Sequence, residues 1–222
     1  VVTRTQAVQR VNRDIGFRPA GNPLEATIVD VLQEAQRDLE KGKTLPKFLL
    51  LEDQTLTLVA ATHTVAKPAR FLRENDDTRI RFFPPSSTIP RFLMRKLYID
   101  AVEANLKPHN NPNASIQPTA PSVYVMRQST IDFITIADQT YTLYWDYFQS
   151  DVVLTTDVEN LWLKNASDWL IGEAGLRIAK SLGNQQAIGT FTDLRAAGRA
   201  AVFAEDIASE EASGPFVMGL NL

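Results

Sequence analysis

The stretch from residue 141 to 208 constrains the fold most, because its apolar period changes partway along. Residues 141–148, Tyr-Thr-Leu-Tyr-Trp-Asp-Tyr-Phe, alternate at a period of two, as in a strand with at least one covered face. After a bridge through residues 152–154 and 160–163 the period becomes roughly 3.6. Leu163, Ala166, Leu170, Ala174, Ile178 and Leu182 then fall on one side of a predicted helix that stops at Gly183. A second helix is predicted over about 191–209, with Leu194, Ala197, Ala201, Ala204 and Ala208 in line. Gly172, Gly175 and Gly198 add further small residues. So little side-chain bulk predicts close packing of this pair on each other or on a neighbouring subunit.

The N-terminal end is also helical by pattern. Ala7, Val8, Val11 and Ile15 give an apolar stripe to a helix over about 3–15, ended by Gly16 and Pro19. Asn22 and Pro23 then form an N-cap and first-turn pair. They open a second helix with Ile28, Val31, Leu32, Ala35 and Leu39 inward, closed by Lys41 and Gly42. Two short amphipathic helices make half a bundle, and the C-terminal pair can supply the other half.

Between these ends the chain reads as β structure. Residues 48–51 and 55–59 form strand candidates with a turn at 52–54, and shorter candidates follow at 64–66, 71–73 and 80–83. Residues 91–106 read mainly as a helix opened by Pro90, through Leu93, Leu97, Ala101 and Ala104. The Pro- and Asn-rich run 107–122 is a long loop, a functional or surface excursion. Residues 123–126, 131–136 and 141–148 then predict an antiparallel meander with turns at Gln128–Ser129 and Asp138–Gln139.

The C-terminal segment is apolar where chain ends are usually polar. Pro215, Phe216, Val217, Met218, Leu220 and Leu222 follow an acidic, small-residue stretch from Glu205 to Ser213. Left in water such a segment is unfavourable, so docking is expected, either on its own core or as an arm inserted into a partner.

Composition narrows the chemistry. At 222 residues, 44% hydrophobic and 22% charged, the chain can bury a core and is not a disordered polymer. A net charge of −3 argues against nonspecific nucleic-acid binding over the whole surface. Zero cysteines exclude thiol catalysis, disulfides and cysteine-ligated metals. The two histidines, His63 and His109, lack metal-site spacing, and a solvated or locally bonded role is expected for each. There is no nucleophile elbow, P-loop or dinucleotide fingerprint. Asp76–Asp77 reads as a turn and Asp100 with Glu103 as the wet face of a helix, rather than as acid/base or cation sites. Most of the arginines and lysine at 4, 10, 13, 18, 91, 95 and 96 fit solvated faces with i,i+4 pairing, and a local basic patch facing DNA is the alternative that the sequence leaves open. No catalytic, cofactor or metal residues are assigned. No apolar run is long enough for a membrane span, and residues 1–5 do not resemble a signal peptide.

The order strand, Asp157-x-x-Asn160-x-Trp162-Leu163, helix, helix, short tail resembles the C-terminal half of tailed-phage head-to-tail adaptor (connector, or head-completion) proteins. Upstream, Pro121-x-x-Tyr124-x-x-Arg127, Ile131-x-Phe133 and Tyr141-x-Leu143 are similar to the central β-segment of that family. The resemblance is carried by residues 121–208.

It implies a structural virion protein of the neck, assembled in the host cytoplasm, with no enzymatic activity and no cofactor. Its implied partners are the portal protein, tail or nozzle proteins, and further copies of itself in a cyclic homo-oligomer, of twelve subunits by family analogy. Genomic DNA would pass through the channel without sequence recognition. The arm residues Pro215, Phe216, Val217, Met218, Leu220 and Leu222 would bind the portal.

The fold expected is α+β: a bundle of N- and C-terminal helices, a central antiparallel β segment and an extended C-terminal arm. The expected divisions are 1–46, 47–156 with the loop at 107–122, 157–209 and 210–222. Another neck or tail protein, such as a tail terminator, is an alternative of the same class. A carbohydrate-binding or hydrolase domain using Tyr141, Trp145 and Tyr147 as a stacking platform is one of a different class.

Overall fold

The computed structural model describes residues 1–16, 21–75, 78–85, 87–95, 118–154 and 159–213, the last five by backbone alone. The fold is α+β and forms two compact units, Val1–Leu49 with Ser150–Leu222, and Leu50–Gln149.

The first unit is helical. Helix α1 (Arg4–Asp14) starts at Thr3, whose side chain and that of Gln6 cap each other's backbone N–H. Its buried stripe is the predicted one, Ala7, Val8, Val11 and the flanking Ile15. Helix α2 (Leu24–Glu40) starts one residue later than predicted, with Pro23 at its N-cap position, and Asn22 Oδ1 accepts from Leu24 N at 2.9 Å just ahead of it. Ile28, Leu32 and Ala35 are buried as predicted, while Val31 and Leu39 are only half-buried. Gln36 and Glu40 take buried positions on that stripe.

The C-terminal helices are α3 (Leu161–Asn165), α4 (Ser167–Ser181) and α5 (Gln185–Ser213), and α4 packs against both α2 and α5. The single helix predicted over 163–182 is thus broken at Ala166, where φ is −140° and ψ 33°. The first of the two pieces has its own N-cap, Asn160, whose Oδ1 accepts from Leu163 N at 3.0 Å, while α4 begins after Ala166 without a side-chain cap. Leu182 is 45% exposed, because it lies past the last helical residue at the Gly183 reversal, whose φ is +66°. Helix α5 also starts earlier than predicted. Asn184 caps it, its Oδ1 accepting from Ala187 N at 3.1 Å.

The second unit is built from two sheets that share one core. Its strands are β1 (Leu50–Leu58), β2 (Thr64–Ala66), β3 (Phe71–Glu74), β4 (Arg81–Phe82), β5 (Arg91–Phe92), β6 (Met94–Arg95), β7 (Val123–Met126), β8 (Thr130–Phe133) and β9 (Tyr141–Gln149). One sheet runs β1-β9-β4-β5, with β3 also paired to β9; the other runs β2-β8-β7-β6. All pairings are antiparallel except β6 with β7. Leu58, Phe82 and Leu143 from the first sheet meet Tyr124, Ile131 and Phe133 from the second in the core, with Trp145 fully buried.

Three sequence expectations change here. The turn predicted at 52–54 is a bulge inside one strand, between Leu51 and Gln54. Asp53 sits there at φ +52°, and its N–H donates to Asp146 Oδ1 at 2.7 Å instead of continuing the ladder. The predicted meander is split, because β8 pairs with β2 and β7 while β9 joins the other sheet. Finally, Arg91–Phe92 and Met94–Arg95 are edge strands and not the start of a helix. Leu93 between them is fully buried while Phe92 and Met94 face outward, an alternation that suits a strand. Residues 96–106 of that predicted helix lie outside the described residues.

Candidate functional site

The helical unit is organised around one buried polar node. Glu40, at the end of α2, accepts through Oε1 from Gln36 Nε2 (3.0 Å), Asp151 N (3.1 Å) and Trp162 Nε1 (3.0 Å). Its Oε2 accepts from Ser150 Oγ at 2.7 Å. Asp151 accepts from the backbone N–H groups of Val152, Leu161 and Trp162. Burial pushes the Asp151 carboxyl above its usual range; those three N–H groups oppose the rise, and the nearby Glu40 adds to it. Asn160 closes the node, its Nδ2 donating to Val152 O (2.8 Å) and Gln36 Oε1 (3.3 Å). The Asn160-x-Trp162 motif is therefore structural: it fastens the incoming chain and α3 to the end of α2.

From Trp162 an aromatic ladder runs outward. Its ring meets Phe48 edge-on at 5.2 Å and Trp169 at 5.6 Å, and Trp169 in turn meets Phe203 of α5 at 5.6 Å. Sequence reading missed Gln36, Glu40 and Asp151 as members of this site. The signal was present for two of them, since Ile28, Leu32, Gln36 and Glu40 recur every four residues on one helix face.

The close approach of α4 and α5 is made by glycines, as predicted. A Cβ on Gly172 would lie 2.5 Å from Arg195 N, one on Gly175 2.3 Å from the Phe191 ring, and one on Gly198 2.3 Å from Trp169 N. The alanines behave otherwise. Ala197, Ala201, Ala204 and Ala208 are exposed and Leu194 is half-buried; the face turned to α4 carries Ala187, Phe191, Gly198 and Val202. Counting apolar residues along α5 could not tell these faces apart, because small side chains occur on both.

On its other flank α5 borders a cleft of about 460 Å³, formed with α4 and the end of α2. Leu39, Trp169, Ala196 and Phe203 provide its apolar walls, and Lys43, Arg195 and Arg199 its basic residues. Glu173 holds Arg177 at 3.1 Å and Arg195 at 3.3 Å, and Arg177 reaches Asp38 at 3.0 Å. Past Phe203, Asp206 accepts from Lys47 N at 3.2 Å. The arm candidates Pro215, Phe216, Val217, Met218, Leu220 and Leu222 lie outside the described residues.

The remaining candidates are quickly placed. Tyr141, Trp145 and Tyr147 are buried at 4%, 0% and 4% exposure, so they are core and cannot serve as a stacking platform. Trp145 Nε1 donates to buried Glu74 at 3.2 Å, and Tyr124 OH donates to the same carboxylate. Burial, and then the bond to Glu74, raises the Tyr124 hydroxyl well above its usual range. His63 is half-buried and its carbonyl accepts from Phe133 N at 2.7 Å.

Arg10 pairs with Asp168 at 2.6 Å and Arg95 with Glu74 at 2.9 Å, across the fold and not at i,i+4. Arg18, Asp76, Asp77, Lys96, Asp100, Glu103 and His109 lie outside the described residues. Among the described residues no cluster of histidines and carboxylates could hold a metal, and no helix is long and apolar enough to cross a membrane.

Comparison with known proteins supplies what local chemistry does not. The family model described as SU10 adaptor protein matches residues 2–218. No curated protein matches the chain. The family match extends beyond the 121–208 stretch that carries the sequence resemblance, taking in both helical ends and the central sheets. The chain therefore belongs to the SU10 adaptor protein family, a structural family of phage head-to-tail adaptors.

Proposed function

We propose that this protein is one subunit of a ring that joins the portal of a tailed phage to its tail. The observation that carries the reading is the family match over residues 2–218. In this reading the helical segments 1–46 and 157–209 form the body of the ring, and the β-rich segment 47–156 meets tail or nozzle components. Residues 210–222 form the arm, whose Pro215, Phe216, Val217, Met218, Leu220 and Leu222 bind the portal. Genomic DNA passes through the ring without sequence recognition, and the protein makes and breaks no bond. The exposed alanine face of α5 supports close subunit contacts, because small side chains let a neighbouring helix approach.

The test is native mass spectrometry of the full chain and of a chain lacking residues 214–222, each alone and mixed with portal rings. The full chain is expected to join the portal as a cyclic set of copies. The truncated chain should fold but fail to attach. Attachment of the truncated chain would remove the arm from the reading, and indifference of the full chain to portals would remove the reading itself.

A further inference from the structure

We propose that neighbouring copies of this chain join through one sheet, the open side of β5 in one subunit pairing with the open side of β1 in the next. The proposal rests on the ring reading and names a contact between neighbours that needs no residue of the arm.

The sheet β1-β9-β4-β5 ends on β1 at one side and on β5 at the other. Among the described residues β1 pairs only with β9, and β5 only with β4. The ladder shows which backbone groups are left over. Leu93 N donates to Ile80 O at 2.8 Å, and an antiparallel ladder alternates, so the next pair along, Arg81 and Phe92, exchanges no bonds. The N–H and C=O of Phe92 therefore turn to the open side. Arg81 turns its own groups to Tyr144 of β9, which leaves Thr55, opposite Tyr144 on β1, in an unbonded pair as well. Thr55, and Thr57 two residues on, thus present N–H and C=O to the other open side.

The two edges match. Strand direction alternates over the four strands, so β5 runs opposite to β1. A rotation about an axis along the strands then sets the next copy's β1 antiparallel to β5. Thr55, Tyr144, Arg81 and Phe92 form one row across the sheet, so Thr55 and Phe92 share a face. Phe92 opposite the next copy's Thr55 makes a pair with two mutual bonds and side chains on the same side. The bulge at Asp53 limits this pairing to the regular part of β1, residues 54–58.

Side chains support the same partner. Ile89, Phe92 and Met94 are 74%, 61% and 56% exposed around β5, and Val59, just past β1, is 53% exposed. Arg91 on one edge and Glu52 on the other are exposed and form no ion pair among the described residues. The two edges are different surfaces, so the contact is heterologous and closes into a ring by repetition.

The chain has no cysteine, so introduced ones report alone. The full chain carrying T55C and F92C is assembled, alone or on portal rings, checked by native mass spectrometry and treated with a short bis-maleimide. The expected product is a covalent ladder running past the dimer, formed at a rate independent of protein concentration. An equal mixture of the two single variants should stop at dimers, and each single variant alone should give none. Dimers from either single variant, coupling of F92C to a tail component, or intact rings without a ladder would overturn the proposal.

Should cysteines at both edges prevent assembly, Thr55→Pro decides. It removes the outward N–H and leaves the β9 ladder in place. Its circular dichroism and melting should match wild type, while the ring fraction at fixed concentration falls at least tenfold. Thr55→Val, which keeps the N–H, should assemble normally. An unchanged ring fraction for Thr55→Pro would overturn the contact. The ring reading fails separately: wild type that forms no ring with or without portals removes both, whereas rings without the ladder remove only the edge contact.

Discussion

The Trp162 indole donates its N–H to Glu40 Oε1 at 3.0 Å, and both residues are buried. Glu40 answers four donors in all: an indole, a primary amide, a hydroxyl and a backbone N–H. A buried carboxylate held in this way exchanges its hydration for fixed dipoles, and its value shows mainly when it is removed.

Replacing Glu40 by alanine leaves Asp151 N and Trp162 Nε1 without an acceptor, while Gln36 Nε2 keeps Val152 O and the Ser150 hydroxyl keeps Asp151 O. At about 1–3 kcal/mol for each buried orphan, partly relieved by water, the loss should reach about 3 kcal/mol or more. Glu40→Gln can keep its Oε1 on the three N–H donors while the Ser150 hydroxyl rotates to accept, so its loss should be nearer 1 kcal/mol. Urea denaturation followed by tryptophan fluorescence measures both. Equal losses for the two variants would show that the node is not held by acceptor geometry.

Asp151 should make stability fall as pH rises. Its folded carboxyl is raised above the unfolded value, chiefly by burial. Its stabilising contribution is therefore complete below the unfolded pKa and is lost as pH rises through the folded pKa. Asp151→Asn removes that titration, though it also places an amide where three N–H donors converge, so it should be less stable overall. The diagnostic is the pH dependence. The stability difference between wild type and variant should shrink as pH rises from the ordinary carboxylate range upward, as read by urea midpoints at stepped pH. A difference that grows with pH would contradict the assignment.

Glycine-to-alanine changes should have opposite signs at two positions of the same helix. Gly198→Ala puts a methyl against the backbone of Trp169, and the helices must part, at about 1–3 kcal/mol. Gly189 is exposed with nothing near its missing Cβ, so Gly189→Ala should stabilise by about 0.5–1 kcal/mol through helix propensity alone. Thermal melting of the two variants checks the pair. A loss at both positions would mean that α5 is strained as a whole and not held by one close contact.

The sequence by itself determined the elements whose cause is local. The cap at Thr3, the bond from Leu24 N to Asn22 Oδ1, the Gly183 stop and the period of two in β9 are each written within a few residues, and they fixed an α+β chain with helices at both ends. The glycines also foretold the close α4–α5 contact, since nothing else lets two backbones come so near. Only the tertiary structure decided what depended on distant partners. Asp146 accepts the Asp53 N–H and turns a predicted hairpin into a bulge, from 93 residues away. Asp151 and Asn160 hold the first turn of α3, which the backbone at Ala166 separates from α4 where one helix was predicted. The exposure of the alanine row on α5 depends on which face α4 covers, and small residues on both faces make the helix alone ambiguous. The burial of Gln36 and Glu40 was decided in the same way, because the donors that make it tolerable come from the far end of the chain.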